Sequence, residues 1–352
     1  MSDELYKKLA KHLNTLPGGF PPTETGIEIR ILKRLFTPEE AELASNLTMM
    51  VEPTASIAKR IGRNEAELTG ILEQMAQKGL IVRSTKGGQN QYMAAQFVVG
   101  IWEYQVNRLT EGLIKDFNEY LPYLMKTQFE SKTKQLRVIP ISKSVNADIK
   151  IMPYEEAEKI IESQSKIVVA DCICRKEHKM VGKGCDSPLR SCLSFGSGAY
   201  YYEANGLGNE ITKEEALNIL KKGIEAGLVL QPGNSKKPLN ICMCCGCCCQ
   251  VLVNLKKMEN AAELSCSNWY AVVDENECVA CGICEQRCPM DAITIEDTAQ
   301  VNLTRCIGCG VCAGSCEANA IRLKEKDQSK ITVPPENIAE TYFNIAKERG
   351  MI

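Results

Sequence analysis

Eight cysteines in the last third of the chain fall into two runs of one spacing, Cys278-x2-Cys281-x2-Cys284-x3-Cys288 and Cys306-x2-Cys309-x2-Cys312-x3-Cys316. Four thiolates so spaced can close around a cubane iron–sulfur cluster, whereas a structural zinc site usually shows paired Cys-x2-Cys knuckles. In this geometry the fourth cysteine of each run serves the other cluster. Cys278, Cys281, Cys284 and Cys316 are therefore expected around one cluster, and Cys306, Cys309, Cys312 and Cys288 around the second. The runs repeat at an offset of 28 residues, and the repeat continues past them: Asp291-Ala292-Ile293-Thr294-Ile295 against Asn319-Ala320-Ile321-Arg322-Leu323.

With these motifs, residues 269 to 325 resemble the bacterial two-cluster ferredoxins. The resemblance implies a ferredoxin-like fold and two [4Fe-4S] clusters that carry single electrons. One position departs from it. Glu317 stands where the first run has Pro289. An added negative charge there should make the cluster of Cys278, Cys281, Cys284 and Cys316 harder to reduce. The segment carries nine Asp or Glu against four Lys or Arg, a net of −5. An acidic face around clusters suits docking on a basic patch of a redox partner.

Eleven further cysteines lie outside the two runs: Cys172, Cys174, Cys185, Cys192, Cys242, Cys244, Cys245, Cys247, Cys248, Cys249 and Cys266. They could ligate up to two more clusters with three cysteines to spare. One arrangement uses Cys172, Cys174, Cys185 and Cys192 for a third cluster and four of the six cysteines from Cys242 to Cys249 for a fourth. Another crosses the two halves, and spacing does not separate them. Adjacent cysteines cannot all reach one metal, so some of the 242–249 group must point elsewhere. Cys266 reads as a small core residue. Zinc in place of one cluster stays open, because its structural sites also take four cysteines.

The motifs Asp171-Cys172-Ile173-Cys174-Arg175, Cys192-Leu193-Ser194-Phe195-Gly196 and Cys242-x-Cys244-Cys245-Gly246-Cys247-Cys248-Cys249 resemble the middle region of a group of anaerobic multi-cluster 4Fe-4S proteins. The resemblance implies an electron-transfer component that works beside other redox enzymes. The Cys-Cys pairs are also similar to the heterodisulfide reductase pattern. The upstream cysteine which that pattern requires is absent before Cys244-Cys245, and Cys281-x2-Cys284 already serves the ferredoxin runs.

The elements that must position these thiols read as an α+β multidomain chain. Residues 1–36 form a helical extension and 37–100 a winged helix-turn-helix. There Thr37-Pro38-Glu39-Glu40 makes a capping box, Asn64 caps the third helix, and Gly87-Gly88 turns the wing. Residues 101–144 form a helical connector, with Phe97 to Gln128 read as helix, Pro122 and Pro140 as breaks, and the aromatics as core. A Cys-rich α/β domain spans 145–268, the ferredoxin domain 269–325 and a helical tail 326–352. In the Cys-rich domain a helix, a strand and then loop cysteines occur twice, with Thr212-Lys213-Glu214-Glu215 capping the second helix. Phe195-Gly196-Ser197-Gly198 reads as a turn and His178 as a solvated loop residue. Arg175 is a candidate to neutralise an anionic cluster.

With 352 residues and nineteen cysteines, no apolar signal core near Met1 and no apolar run long enough to span a bilayer, the chain is expected in the cytoplasm, at low oxygen. The third helix of the winged region, Asn64 to Lys78, has a net charge of −2, so protein docking is expected there rather than DNA binding. No dinucleotide or Walker motif and no acid/base constellation occur, so neither a nucleotide site nor a set of catalytic residues is expected. The expected function is a relay of single electrons between a donor and a catalytic oxidoreductase partner, as one component of a complex. The alternative is an oxidoreductase whose own catalytic cluster, in the Cys-rich domain, meets a thiol or disulfide.

Overall fold

The computed structural model describes residues 2–141, 144–145 and 151–352. The chain forms two compact units, one built from residues 1–133, 200–209 and 342–352 and the other from 134–199 and 210–341.

In the first unit the local capping signals act as read. Thr37 and Glu40 close a capping box on helix Pro38–Ala44, and the Asn64 side chain accepts from Ala66 and Glu67 at the start of helix Glu65–Gln77. Between these helices lies Thr54–Ile61, ended by Gly62 in the left-handed region. Strands Ile81–Lys86 and Gln89–Ala94 form a hairpin across Gly87 and Gly88, and the two-residue strand Glu52–Pro53 pairs with the second of them.

The continuous helix read from Phe97 to Gln128 is corrected. Val98 and Val99 are extended within the turn Phe97–Ile101, a short turn follows at Glu103–Gln105, and the long helix is Glu111–Glu130, capped by Thr110. Pro122 does not break it. Pro122 is exposed, on the outer face of the helix, while Phe117, Leu121, Leu124 and Met125 are buried on either side and hold the helix in place. Trp102 stacks on Phe117 with ring centroids 3.5 Å apart, and Phe20, Phe97 and Tyr120 complete an aromatic core.

The second unit is organised by an antiparallel sheet. Strand Ile167–Asp171 pairs with Arg190–Phe195, which pairs with Asn240–Cys244, which pairs with Val229–Pro232. Helices Ala157–Glu162 and Lys213–Glu225 precede the strands that begin at Ile167 and Val229. The loop placement of the cysteines is corrected here. Cys242 and Cys244 lie within strand Asn240–Cys244, and Cys174 lies in helix Ile173–Met180, while Cys172 stands just before that helix. Gly196 opens helix Gly196–Ala204 rather than a turn, its φ of +50° taking the chain out of the preceding strand.

The same unit holds the ferredoxin repeat. Trp269–Val273 pairs with Ile321–Glu325 and Ile293–Ile295 with Ala299–Val301, with short helices Ile283–Arg287 and Val311–Gly314 between them. The repeat extends to the backbone. Ala280 and Gly308, Gly282 and Gly310, and Asp291 and Asn319 are equivalent pairs, and all six take positive φ. Arg305 ties this region to its surroundings by donating to the carbonyls of Met290 and Lys256, and Arg287 donates to that of Glu225.

Candidate metal centres

Each ferredoxin run places its first two cysteines on a loop and its third, Cys284 or Cys312, in the short helix that follows, and the glycine before that helix, Gly282 or Gly310, sits in the left-handed region at φ near +78°. The structure brings Cys288, from the first run, to the cavity lined by Cys306, Cys309 and Cys312 and walled by Ala271 and Ile293. Cys284 faces Cys278 and Cys281, and Cys278, Cys284 and Cys316 pack in the same core as Cys288, Cys306 and Cys312. Backbone amides point at the sulfurs: Ala271 donates to Cys306 at 3.4 Å, Ala292 to Cys288 at 3.3 Å and Ala299 to Cys278 at 3.4 Å. Burial pushes the Cys309 thiol up to about 12 and the Cys312 thiol well above its ordinary value. Thiolates so enclosed need a cation beside them, and iron supplies one, so the donor set fits a cluster.

Both repeats match the 4Fe-4S binding domain, over residues 271–294 and 299–322. No curated protein and no solved structure matches the chain. The 4Fe-4S binding repeats mark an iron–sulfur protein, and the chain surrounds the two repeats unequally. In the first domain Val279 is 70% exposed and Ile283 37%, and Cys281 is exposed. Their equivalents in the second domain, Ile307 and Val311, are 2% exposed, and Cys309 is buried. A Cβ on Gly308 would lie 2.1 Å from the Trp269 carbonyl oxygen, and one on Gly310 would lie 2.2 Å from the Ser144 hydroxyl. A Cβ on Gly282 would meet nothing within 4 Å.

The middle-region thiols group across the two halves. Six of them form a hydrogen-bonded file: Cys172 with Cys174, Cys174 with Cys249, Cys249 with Cys244, Cys244 with Cys242, and Cys242 with Cys192. Cys192 and Cys242 are also cross-strand partners. Acidity alternates along the file. Hydrogen bonds from neighbouring thiols hold Cys172, Cys242 and Cys249 below the ordinary value, and those same bonds push Cys174 and Cys244 above it. Side-chain amides add to this, Asn240 Nδ2 lying 3.5 Å from Cys242 Sγ and Gln231 Nε2 3.9 Å from Cys249 Sγ.

Cys185 stands apart from Cys172, Cys174 and Cys192. It joins Cys245, Cys247 and Cys248, and all four sulfurs lie within 4.8 Å of one another. Burial opposes ionisation of Cys185, but hydrogen bonds from Ser187, Cys247 and Cys248 outweigh it and hold the thiol at about 7. Burial and the charge of Cys245 push Cys247 up to about 11. Arg175 is buried, with Nη1 3.8 Å from Cys245 Sγ and 2.9 Å from the Met243 carbonyl oxygen, and it also donates to Ser191. Burial alone would lower its pKa, and the thiolates of Cys172, Cys245 and Cys244 raise it instead.

His178 is corrected from a loop position to helix Ile173–Met180, half-buried, with Nδ1 2.8 Å from the Cys174 carbonyl oxygen. Cys266 lies 4.0 Å from the Asn234 side-chain oxygen and in neither thiol group. One contact had no signal in the spacing. A Cβ on Gly246, inside the Cys245–Cys248 turn, would lie 2.6 Å from the carbonyl oxygen of Pro289, the residue after Cys288. The middle thiols and the enclosed cluster site thus meet across a glycine.

Proposed function

We propose that the protein relays single electrons between a donor and a catalytic oxidoreductase, in the cytoplasm of a cell living at low oxygen. Cys278, Cys281, Cys284 and Cys316 hold one cubane cluster, and Cys306, Cys309, Cys312 and Cys288 hold the other. A bound cubane supplies a one-electron couple whose potential follows the charge and hydrogen bonding around its sulfurs. The amides of Ala271, Ala292 and Ala299 stabilise added negative charge at those sulfurs.

The unequal enclosure of the two cluster sites carries this reading. The first opens to solvent at Val279, Cys281 and Ile283, beside exposed Glu275, Glu277 and Glu285. That is an apolar spot in an acidic rim, suited to transient docking on a basic partner. The second faces inward, against the Gly246 turn. A route inside the protein thereby meets a port on its surface. Among the described residues no helix is long and apolar enough to cross a membrane.

The six-thiol file is a row and not a closed set of four, since among the described residues no three of its sulfurs all lie within 4.8 Å of one another, and it is assigned as a third iron–sulfur centre. Stopped-flow oxidation of the dithionite-reduced protein by a basic acceptor such as cytochrome c tests the port. The rate should fall several-fold as salt rises from 0.05 to 0.5 M, and fall again in Glu275→Gln/Glu277→Gln/Glu285→Gln. Rates unchanged by either treatment would remove the docking argument.

A second reading rests on the file being a row, so that a cluster there need not take four of its thiols. An open-sided cluster there would meet a thiol or disulfide substrate. A new EPR signal on adding a thiol to the oxidised protein would favour that reading over a pure relay.

In the first unit, three helices and a three-stranded sheet with a Gly87–Gly88 hairpin support a winged-helix domain. Glu73 of its third helix is taken up by Arg83 and by Tyr92 at 3.1 Å. We assign this domain to protein docking. Absence of DNA retention on filters at low salt is the expected result.

A further inference from the structure

We propose that Cys185, Cys245, Cys247 and Cys248 bind a single zinc ion and not a further iron–sulfur cluster. The sulfur spacing decides between them. Four sulfurs about 2.3 Å from one tetrahedral ion lie about 3.8 Å from one another. Here Cys185 and Cys245 are 3.8 Å apart, Cys185 and Cys248 3.7 Å, and Cys247 and Cys248 3.8 Å. A cubane holds each thiolate on its own iron at a separate corner, which spreads the four well beyond that distance. The ferredoxin cysteines behave accordingly. Among the described residues, Cys185, Cys245, Cys247 and Cys248 are the one group of three or more such ligands that closes within 4.8 Å, and no ferredoxin set does.

The local fold explains how adjacent cysteines can share an ion. Strand Asn240–Cys244 delivers Cys242 and Cys244 to the six-thiol file, and Cys249 returns to that file as helix Gln250–Lys256 begins. The turn between them presents Cys245, Cys247 and Cys248 the other way, and the loop before strand Arg190–Phe195 brings Cys185 to meet them. Four thiolates around a divalent ion leave two negative charges, and the Arg175 guanidinium beside Cys245 offsets one. All four ligand positions are filled by protein, as in a structural site. Zinc is preferred over ferrous iron in such a set because it binds divalent-metal ligands more tightly.

A zinc ion has no accessible redox couple, so it would pin the Cys245–Cys248 turn against Pro289 without carrying electrons. This inference does not rest on the electron-relay reading.

The full-length protein, made without oxygen in medium replete in both iron and zinc, is analysed for metals by mass spectrometry. About one zinc per chain is expected, and Cys185→Ser and Cys248→Ser should each lose it while keeping their iron and the EPR signals of the reduced clusters. Zinc K-edge absorption on the unaltered protein avoids dependence on whether the variants fold, and should show about four sulfur neighbours near 2.3 Å. Three results would overturn the proposal: unaltered protein without zinc, zinc retained in full by Cys185→Ser, or iron lost from Cys185→Ser in place of zinc. Nitrogen or oxygen neighbours in the zinc spectrum would overturn it equally.

Discussion

The two 4Fe-4S binding repeats share their cysteine spacing and the same three positive-φ positions, yet one lies open and the other is enclosed. Val279 and Ile283 reach solvent where Ile307 and Val311 do not. Gly282 has free space around it, whereas Gly308 and Gly310 are pressed against Trp269 and Ser144. The lesson is that an internal duplication can supply two equivalent cluster cages, and packing then gives them different roles. A sealed site is protected from water and contacts the interior, and an open one can meet a partner.

The largest expected effect that separates the two is the loss of a ligand. Cys309→Ser and Cys281→Ser should each lose about four irons, and Cys309→Ser should also lower the thermal midpoint far more, because its cage sits within packed structure. Anaerobic iron counting and calorimetry read both. Equal destabilisation would erase the distinction.

Next come the glycines. Gly308→Ala and Gly310→Ala should each cost about 3 kcal/mol or more, from overpacking plus a left-handed backbone. Gly282→Ala pays only the backbone cost, about 1 kcal/mol. Denaturant titrations of the three variants that gave one common value would contradict the enclosure.

Smaller still is Gly246→Ala, which must move the Cys245–Cys248 turn off Pro289. It should shift the potential of the enclosed cluster and leave the open one unchanged, as measured by EPR-monitored titration. A shift in the open cluster alone would place the contact at the wrong cage.

The smallest effect expected is that of Glu317→Gln. Removing an exposed negative charge next to Cys316 should raise the potential of the open cluster by on the order of tens of millivolts, less at high salt. An unchanged potential would show that solvent screens the charge fully.

Much of the fold was legible where the physics is local. The capping residues Thr37, Asn64 and Thr212 start helices because each side chain satisfies amides within three residues of itself. Readings failed where distant packing outweighed a local preference. Pro122 stays inside a helix held by its buried face, and Gly196 begins one. Cysteine carries little strand signal, so the sequence suggests a loop at Cys242 and Cys244, yet pairing with Arg190–Phe195 and Val229–Pro232 puts them in a sheet.

The sequence by itself determined the duplicated 4Fe-4S binding motif, because its cysteine spacing is local and is written twice along the chain. It also required that the crowded cysteines between 242 and 249 divide between destinations. Only the tertiary structure decided how they divide. Strand and turn geometry sends Cys242, Cys244 and Cys249 to one thiol group and Cys245, Cys247 and Cys248 to another, where Cys185 arrives from a separate loop. Which repeat is buried was likewise settled by Trp269 and Ser144, residues outside both cysteine runs, since enclosure depends on what packs around a motif and not on the motif itself.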